Sequence, residues 1–276
     1  MPYHNPINGI ITHKNSENNI YICYIEDFSE ELKKKIRKML SSIWNGAVDE
    51  VEDEDIYNYK MTLKDFLNRY STKSPNLKKG IIGELLSHLL IPHYLNNFEV
   101  ISIMKNKEEN SIRKGFDSIY YNNPEKNIWY CEVKSGGNED ERDIDEKNKE
   151  RLNEAKSNRT WIEHHSLGEN KILWQSVLTD VKSTIFDNNK QINIKKLLKA
   201  DYPGIPNRNM DRNVILSSVI YKDLITRICP NKLKDYKTSI DRENIFVGLI
   251  IFSIQKPTYT KIEEFLVKES NNTENE

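Results

Sequence analysis

The sequence predicts an α/β fold in which a mixed central sheet is flanked by helices. Two apolar runs, at 213–221 and 245–254, have the composition of strands buried in the middle of a sheet. Two shorter runs between Gly115 and Gly136 are joined by the polar sequence NNPEKN, a pattern typical of a β-hairpin. A segment at 77–95 has Ile and Leu residues at helical spacing, so helices are expected beside the sheet.

The remaining elements can be predicted in chain order. Residues 8–27 contain an apolar run that predicts a strand, and Ser29 is suited to cap the amphipathic helix that follows. A second helix is expected at 61–71, a strand at 98–104, and mostly helix at 139–185. We divide the chain into an N-terminal helical extension at 1–75, a core at 76–268 that includes the C-terminal strands, and a disordered polar tail at 269–276.

The composition excludes several classes of protein. The 276 residues carry a net charge of −1, and 37% are hydrophobic. No apolar run is long enough to cross a bilayer and no signal-peptide core is present, so a cytoplasmic location is expected. The three cysteines are far apart, which indicates reduced thiols. A Gly-rich phosphate-binding loop is missing, so we do not expect ATP hydrolysis by this chain.

The predicted hairpin contains the residues with the clearest chemical potential. Asp117 lies early in its first strand, and Glu132 and Lys134 lie near the end of its second. Because side chains alternate between faces, Glu132 and Lys134 should share a face opposite Trp129, Cys131 and Val133. Mg²⁺ prefers oxygen ligands and is commonly held by one or two carboxylates. We therefore expect Asp117, Glu132 and the Val133 carbonyl to bind Mg²⁺ or Mn²⁺, with Lys134 assisting phosphodiester hydrolysis. The alternative is a cross-strand salt bridge on an exposed sheet face.

A third carboxylate, Glu84, interrupts the apolar helix at 77–95. A carboxylate among core leucines is unfavourable unless it is paired or bound to a cation. Glu84 could therefore reach the metal, directly or through a water molecule. It could instead pair with Lys78, Lys79 or His88.

The order of these motifs resembles that of the PD-(D/E)xK nuclease superfamily, which has a helix Glu, a strand Asp and a strand Glu-x-Lys. Their spacing is similar to that of the HamA-like nuclease subunit of the Hachiman anti-phage defence system. The matching residues are Gly83-Glu84, Gly115-Phe116-Asp117 and Glu132-Val133-Lys134. The resemblance implies a restriction-endonuclease-like core, catalysis by Glu84, Asp117, Glu132 and Lys134, and a metal-dependent DNA nuclease. It also implies a helicase partner encoded nearby.

Two other functions remain open at this point. A free-standing restriction-type endonuclease would need side chains that read bases, which the sequence does not identify. A catalytically silent binding or scaffold subunit would use the same acidic residues structurally. The acidic run at 138–146 adds a further question, because it could keep DNA away from the site or could form the first turn of a helix.

Overall fold

The computed structural model describes residues 6–46, 57–105, 116–137, 142–157, 167–201 and 212–272, with only the backbone at 167–173 and at 272. Within these ranges the chain forms seven strands and eight helices. The strands are β1 Ile10–Asn15, β2 Ile20–Ile25, β3 Phe98–Val100, β4 Ser118–Asn122, β5 Asn127–Gly137, β6 Asn213–Tyr221 and β7 Gly248–Lys256. The helices are α1 Glu30–Asn45, α2 Tyr59–Ser71, α3 Pro75–Tyr94, α4 Ile144–Ser157, α5 Leu167–Thr184, α6 Asn188–Ala200, α7 Pro230–Glu243 and α8 Thr260–Asn272.

All seven strands form one mixed sheet in the order β1-β2-β7-β6-β5-β4-β3. The adjacent strands β2, β7, β6 and β5 are parallel, whereas β1, β4 and β3 run antiparallel to their neighbours. The expected mixed central sheet is therefore confirmed. The apolar runs around 213–221 and 245–254 are its central strands β6 and β7, as their composition predicted.

The two faces of the sheet bury different sets of helices. Trp129, Cys131 and Val133 of β5 belong to an apolar cluster with residues of α1, α2, α3 and α8. Ile128 and Tyr130, which point the other way, pack with residues of α4 to α7. Helices thus cover both faces, as predicted for an α/β fold.

The N-terminal segment contributes to the same sheet and core as the rest of the chain. Strand β2 pairs with β7, and its six residues are all buried. The helices α1 and α2 share the apolar cluster of α3. A helical extension is thus not set apart among the described residues, and the division at residue 75 stays a prediction.

Two predicted boundaries differ from the structure. The strand expected at 98–104 is formed only over Phe98–Val100. Beyond it, the Ile103 N–H donates to Asp180 of α5 and the Met104 N–H to the Ile43 carbonyl of α1, so the backbone turns away from β4. At the other end, α8 continues through Asn272 into the segment expected to be disordered, and residues 273–276 lie outside the described part.

No helix in the described part of the chain combines the length and the apolar character needed to span a membrane.

Candidate active site

The β4–β5 hairpin brings Asp117 beside the Glu132 strand. Ser118 pairs with Cys131 in antiparallel register, so Asp117, one residue earlier, lies across from Glu132. The Asp117 side chain accepts a hydrogen bond from the Val133 backbone N–H, with 2.7 Å between Oδ2 and N. The carboxylate therefore continues the strand pairing at the point where β4 begins.

Glu132 and Lys134 form an ion pair on one face of β5. Glu132 is only 1% exposed, and its Oε1 lies 2.5 Å from Lys134 Nζ. The pair points away from the cluster of Trp129, Cys131 and Val133, which confirms the predicted alternation. This pair is not a cross-strand salt bridge on an exposed sheet face, because the Glu132 carboxylate is buried and Lys134 belongs to the same strand.

The backbone of Val133 also faces Asp117. In an extended strand the N–H and C=O of one residue point to the same edge, as in the residue pairs that exchange both bonds across an antiparallel ladder. Since the Val133 N–H points to Asp117, its carbonyl oxygen points to the same edge. This orientation suits the role expected of that carbonyl as an oxygen ligand.

Glu84 approaches the site from the opposite face of the sheet. Helix α3 packs on the Trp129 side of β5, and Glu84 is half-buried there. The approach is close because residue 83 is glycine. A Cβ at Gly83 would lie 1.9 Å from the Ser135 Oγ and 3.0 Å from its Cβ, so Ser135 or the helix would have to shift. Two residues considered as partners of Glu84 have other contacts, Lys78 with Glu263 and His88 with Asp117.

The charges of the site act together on Lys134. Burial of this side chain disfavours its charged form, but nearby negative charge outweighs that effect and raises the pKa of Lys134 above its usual value. The contributing carboxylates are Glu132, Asp117 and Glu84, in that order. The three carboxylates predicted from the sequence thus all favour the charged form of Lys134.

The comparison with known families matches nearly the whole chain. The sequence model of the HamA family matches residues 3–269. The chain belongs to the HamA family. It is therefore a subunit of the Hachiman defence system. No curated protein matches it.

In this HamA-family chain, His88 holds the backbone of Asp117. Its Nε2 lies 3.3 Å from the Asp117 carbonyl oxygen, and burial lowers the pKa of His88 to about 4. The ring is therefore neutral at pH 7, and because a carbonyl only accepts, Nε2 carries the hydrogen. Sequence reasoning considered His88 only as a partner for Glu84, although its position four residues later on the same helix was a signal that it faces the hairpin.

The side chains of the HamA-family site offer oxygen atoms of the kind that a magnesium-like cation takes as ligands. In the described ranges, no group of three or more His, Cys, Asp or Glu side chains surrounds a single metal position. Mg²⁺ is commonly held by one or two carboxylates and keeps several waters. Asp117 and Glu132, with the Val133 carbonyl, supply oxygen atoms only.

The acidic run at 138–146 lies partly in the described chain. Residues 138–141 lie outside it. From 142 onward, Asp145 and Glu146 lie in the first turn of α4, which begins at Ile144. Lys232 forms ion pairs with both Asp143 and Asp145. For these residues the structure favours the helix-terminus interpretation, since acids are stabilised at a helix N-terminus.

Proposed function

We propose that this chain is a metal-dependent DNA endonuclease, the effector subunit of a Hachiman complex that also contains a helicase. The observation that supports this most directly is the arrangement of Asp117 and Glu132 on paired strands with the charged Lys134 beside them. Carboxylate oxygens and an ammonium group in one place match the needs of phosphodiester hydrolysis. Mg²⁺ or Mn²⁺ is the cofactor that these oxygens suit.

Asp117 and Glu132 are the residues that would hold the cation, with the Val133 carbonyl as a further oxygen and Glu84 acting through water. When bound, such a cation supplies a more acidic water molecule and stabilises charge on the scissile phosphate. Glu84 fits an outer role because its helix packs on the other face of β5.

Lys134 orients the attacking water or neutralises charge in the transition state. Burial lowers the pKa of its side chain, but the carboxylates of Glu132, Asp117 and Glu84 outweigh that effect and favour the ammonium form. Its side chain is 31% exposed while that of Glu132 is 2% exposed, so the ammonium is the part of the pair that a phosphate can reach. An ammonium aimed at developing negative charge lowers the barrier electrostatically.

A partner that delivers DNA is consistent with the charge of the chain. DNA binding depends on neutralising phosphates with Lys and Arg, and a net charge of −1 provides little general attraction. A helicase can bring the strand to the site by its own contacts. In this proposal the chain supplies cleavage and its partner supplies DNA engagement.

The test is cleavage of plasmid DNA with Mg²⁺ or Mn²⁺, in the presence and absence of the neighbouring gene product. The wild type is compared with Glu132→Ala/Lys134→Ala. A matched control is Glu31→Ala/Lys33→Ala, which has the same spacing on α1, where Glu31 is exposed. We expect metal-dependent nicking or degradation that the first variant loses and the control keeps. Cleavage that persists in the first variant would show that the site lies elsewhere.

A catalytically silent subunit is the second candidate. It is favoured by the ion pair that Glu132 already makes with Lys134. Calorimetric titration with Mn²⁺ separates the two functions. Absence of binding, together with absence of cleavage of double- and single-stranded DNA with the partner present, would establish the silent subunit.

A further inference from the structure

A buried arginine lies in a box of aromatic rings next to the candidate site. Arg212 immediately precedes β6 and is 6% exposed. Its guanidinium carbon lies 5.2 Å from the centre of the Tyr130 ring, 5.7 Å from Trp174 and 5.8 Å from Phe116. Aromatic faces attract cations at these distances, and the attraction is stronger where water is excluded.

The walls of this box also contact one another. The Phe116 and Tyr130 ring centres are 4.4 Å apart, and each lies within 6.3 Å of the Trp174 ring centre. Asp201, at the end of α6, closes the arrangement from the side. Its carbonyl accepts a hydrogen bond from Arg212 Nη2, and its carboxylate accepts one from the Tyr130 hydroxyl. Arg212 thus lies within cation–π distance of all three rings.

Two of the three rings lie close in the chain to residues of the candidate site. Phe116 directly precedes Asp117 in the chain. Tyr130 precedes Glu132 by two residues, so both side chains project from the same face of β5. The guanidinium thus lies near the ring of the residue bonded to Asp117 and the ring of the residue next to Glu132 on the same face of β5. On the other face of the sheet, His88 holds the Asp117 carbonyl.

We infer that Arg212 is a positioning residue that fixes the separation of the Asp117 and Glu132 carboxylates by holding Phe116 and Tyr130 against each other. This inference rests on the proposed metal site. Replacement of residues that orient metal ligands without binding the metal themselves commonly lowers metal affinity or activity about 10–100-fold. Arg212 has the planar group needed to contact several rings at once, which lysine lacks.

The structure offers a reporter that needs no metal. The Val133 N–H donates to Asp117 Oδ2, so its hydrogen exchange depends on where that carboxylate lies. In Arg212→Met we expect faster exchange of this amide than in the wild type. The matched control is Arg227→Met, because Arg227 also lies over an aromatic ring, 5.3 Å from Tyr24, but is exposed and paired with Glu26.

Mn²⁺ affinity, measured by calorimetry on the full chain, is the second readout. We expect Arg212→Met to weaken Mn²⁺ binding about 10–100-fold, and Arg227→Met to leave it unchanged. Phe116→Leu keeps the arginine and should weaken binding in the same direction, which covers the case in which Arg212→Met does not fold. A merely structural role would lower thermal stability without changing the affinity of the folded chain.

The outcomes distinguish this inference from the proposed function. Wild-type binding that Phe116→Leu and folded Arg212→Met leave unchanged would overturn the inference alone. A wild-type chain that binds no Mn²⁺ would overturn the proposed metal site and the inference with it.

Discussion

Replacing Lys134 with Met leaves the buried carboxylate of Glu132 without the ammonium group that contacts it. Lys134 Nζ lies 2.5 Å from Glu132 Oε1, and the Glu132 side chain is 2% exposed. Removal of one member of a buried ion pair is costly because the remaining charge stays out of water. The ion pair therefore predicts a measurable loss of stability in Lys134→Met.

The size of the loss follows from the exposure of the two side chains. Exposed ion pairs contribute about 0–1 kcal/mol, whereas breaking a buried pair costs about 3–5 kcal/mol. Since Glu132 is buried but Lys134 is 31% exposed, we expect the lower end of the buried range, about 3 kcal/mol. Glu132→Gln/Lys134→Met should recover most of it, because a neutral amide replaces the buried carboxylate.

Urea denaturation at pH 7 measures these differences. The control is Lys33→Met, whose partner Glu30 is 67% exposed, and its expected cost is below about 1 kcal/mol. Equal losses in Lys134→Met and Lys33→Met would refute the reasoning, since they would show that solvent screens the Glu132 pair. Failure of the double variant to recover stability would show that packing of the Lys134 stem dominates.

Three further predictions concern stability. Burial lowers the pKa of Lys256 from 10.5 to about 8, so Lys256→Met should stabilise the chain at pH 7 by about 3 kcal/mol. Between pH 8 and 10.5 the unfolded state binds the extra proton, so wild-type stability relative to this variant should rise with pH. Burial lowers the pKa of His88 from 6.5 to about 4, so stability should fall as pH decreases from about 6.5 to 4, and less so in His88→Gln. Gly83→Ala should cost about 1–2 kcal/mol in spite of the helix preference of Ala, because its Cβ would press on Ser135.

Denaturation curves across pH test the first two of these, and each has a contradicting result. A constant difference between wild type and Lys256→Met from pH 7 to 10.5 would show that Lys256 does not titrate as its burial requires. Identical acid transitions in wild type and His88→Gln would exclude the histidine as a source of acid sensitivity. For Gly83→Ala, the addition of Ser135→Gly should restore stability, and no recovery would place the strain elsewhere.

The hairpin and its facing pattern could be predicted because they depend on neighbouring residues. A polar turn between two apolar runs determines which strands pair, and the two-residue period places Glu132 and Lys134 together. The central strands β6 and β7 were recognisable for a similar reason, since they are apolar on both faces. The metal-binding and catalytic roles of the site residues stay predictions.

The contacts that the sequence did not indicate are between distant segments. Local periodicity does not indicate on which face of the sheet a helix packs. That α3 lies on the face opposite Glu132, and that Glu84 approaches from there, could be seen only in the structure. The same holds for Arg212, an arginine before an apolar strand, whose aromatic neighbours come from three other parts of the chain. Strand β2 was predicted only as an early strand, although its unbroken apolar sequence was a signal of a position inside the sheet.

The position of β7 has a consequence for synthesis of the chain. This strand lies between β2 and β6. Its Ile251 pairs with Ile20 of β2, and its Ile250 pairs with Ile215 of β6. Ribosomes add about 5–20 residues per second, so β2 waits on the order of 10–50 seconds for its partner. During that time the nascent chain exposes apolar strand edges, which are sites of aggregation and of chaperone binding. The sheet that supports Glu132 is completed only after β7 has been synthesised, so a nascent chain that lacks β7 cannot hold the site in its final form.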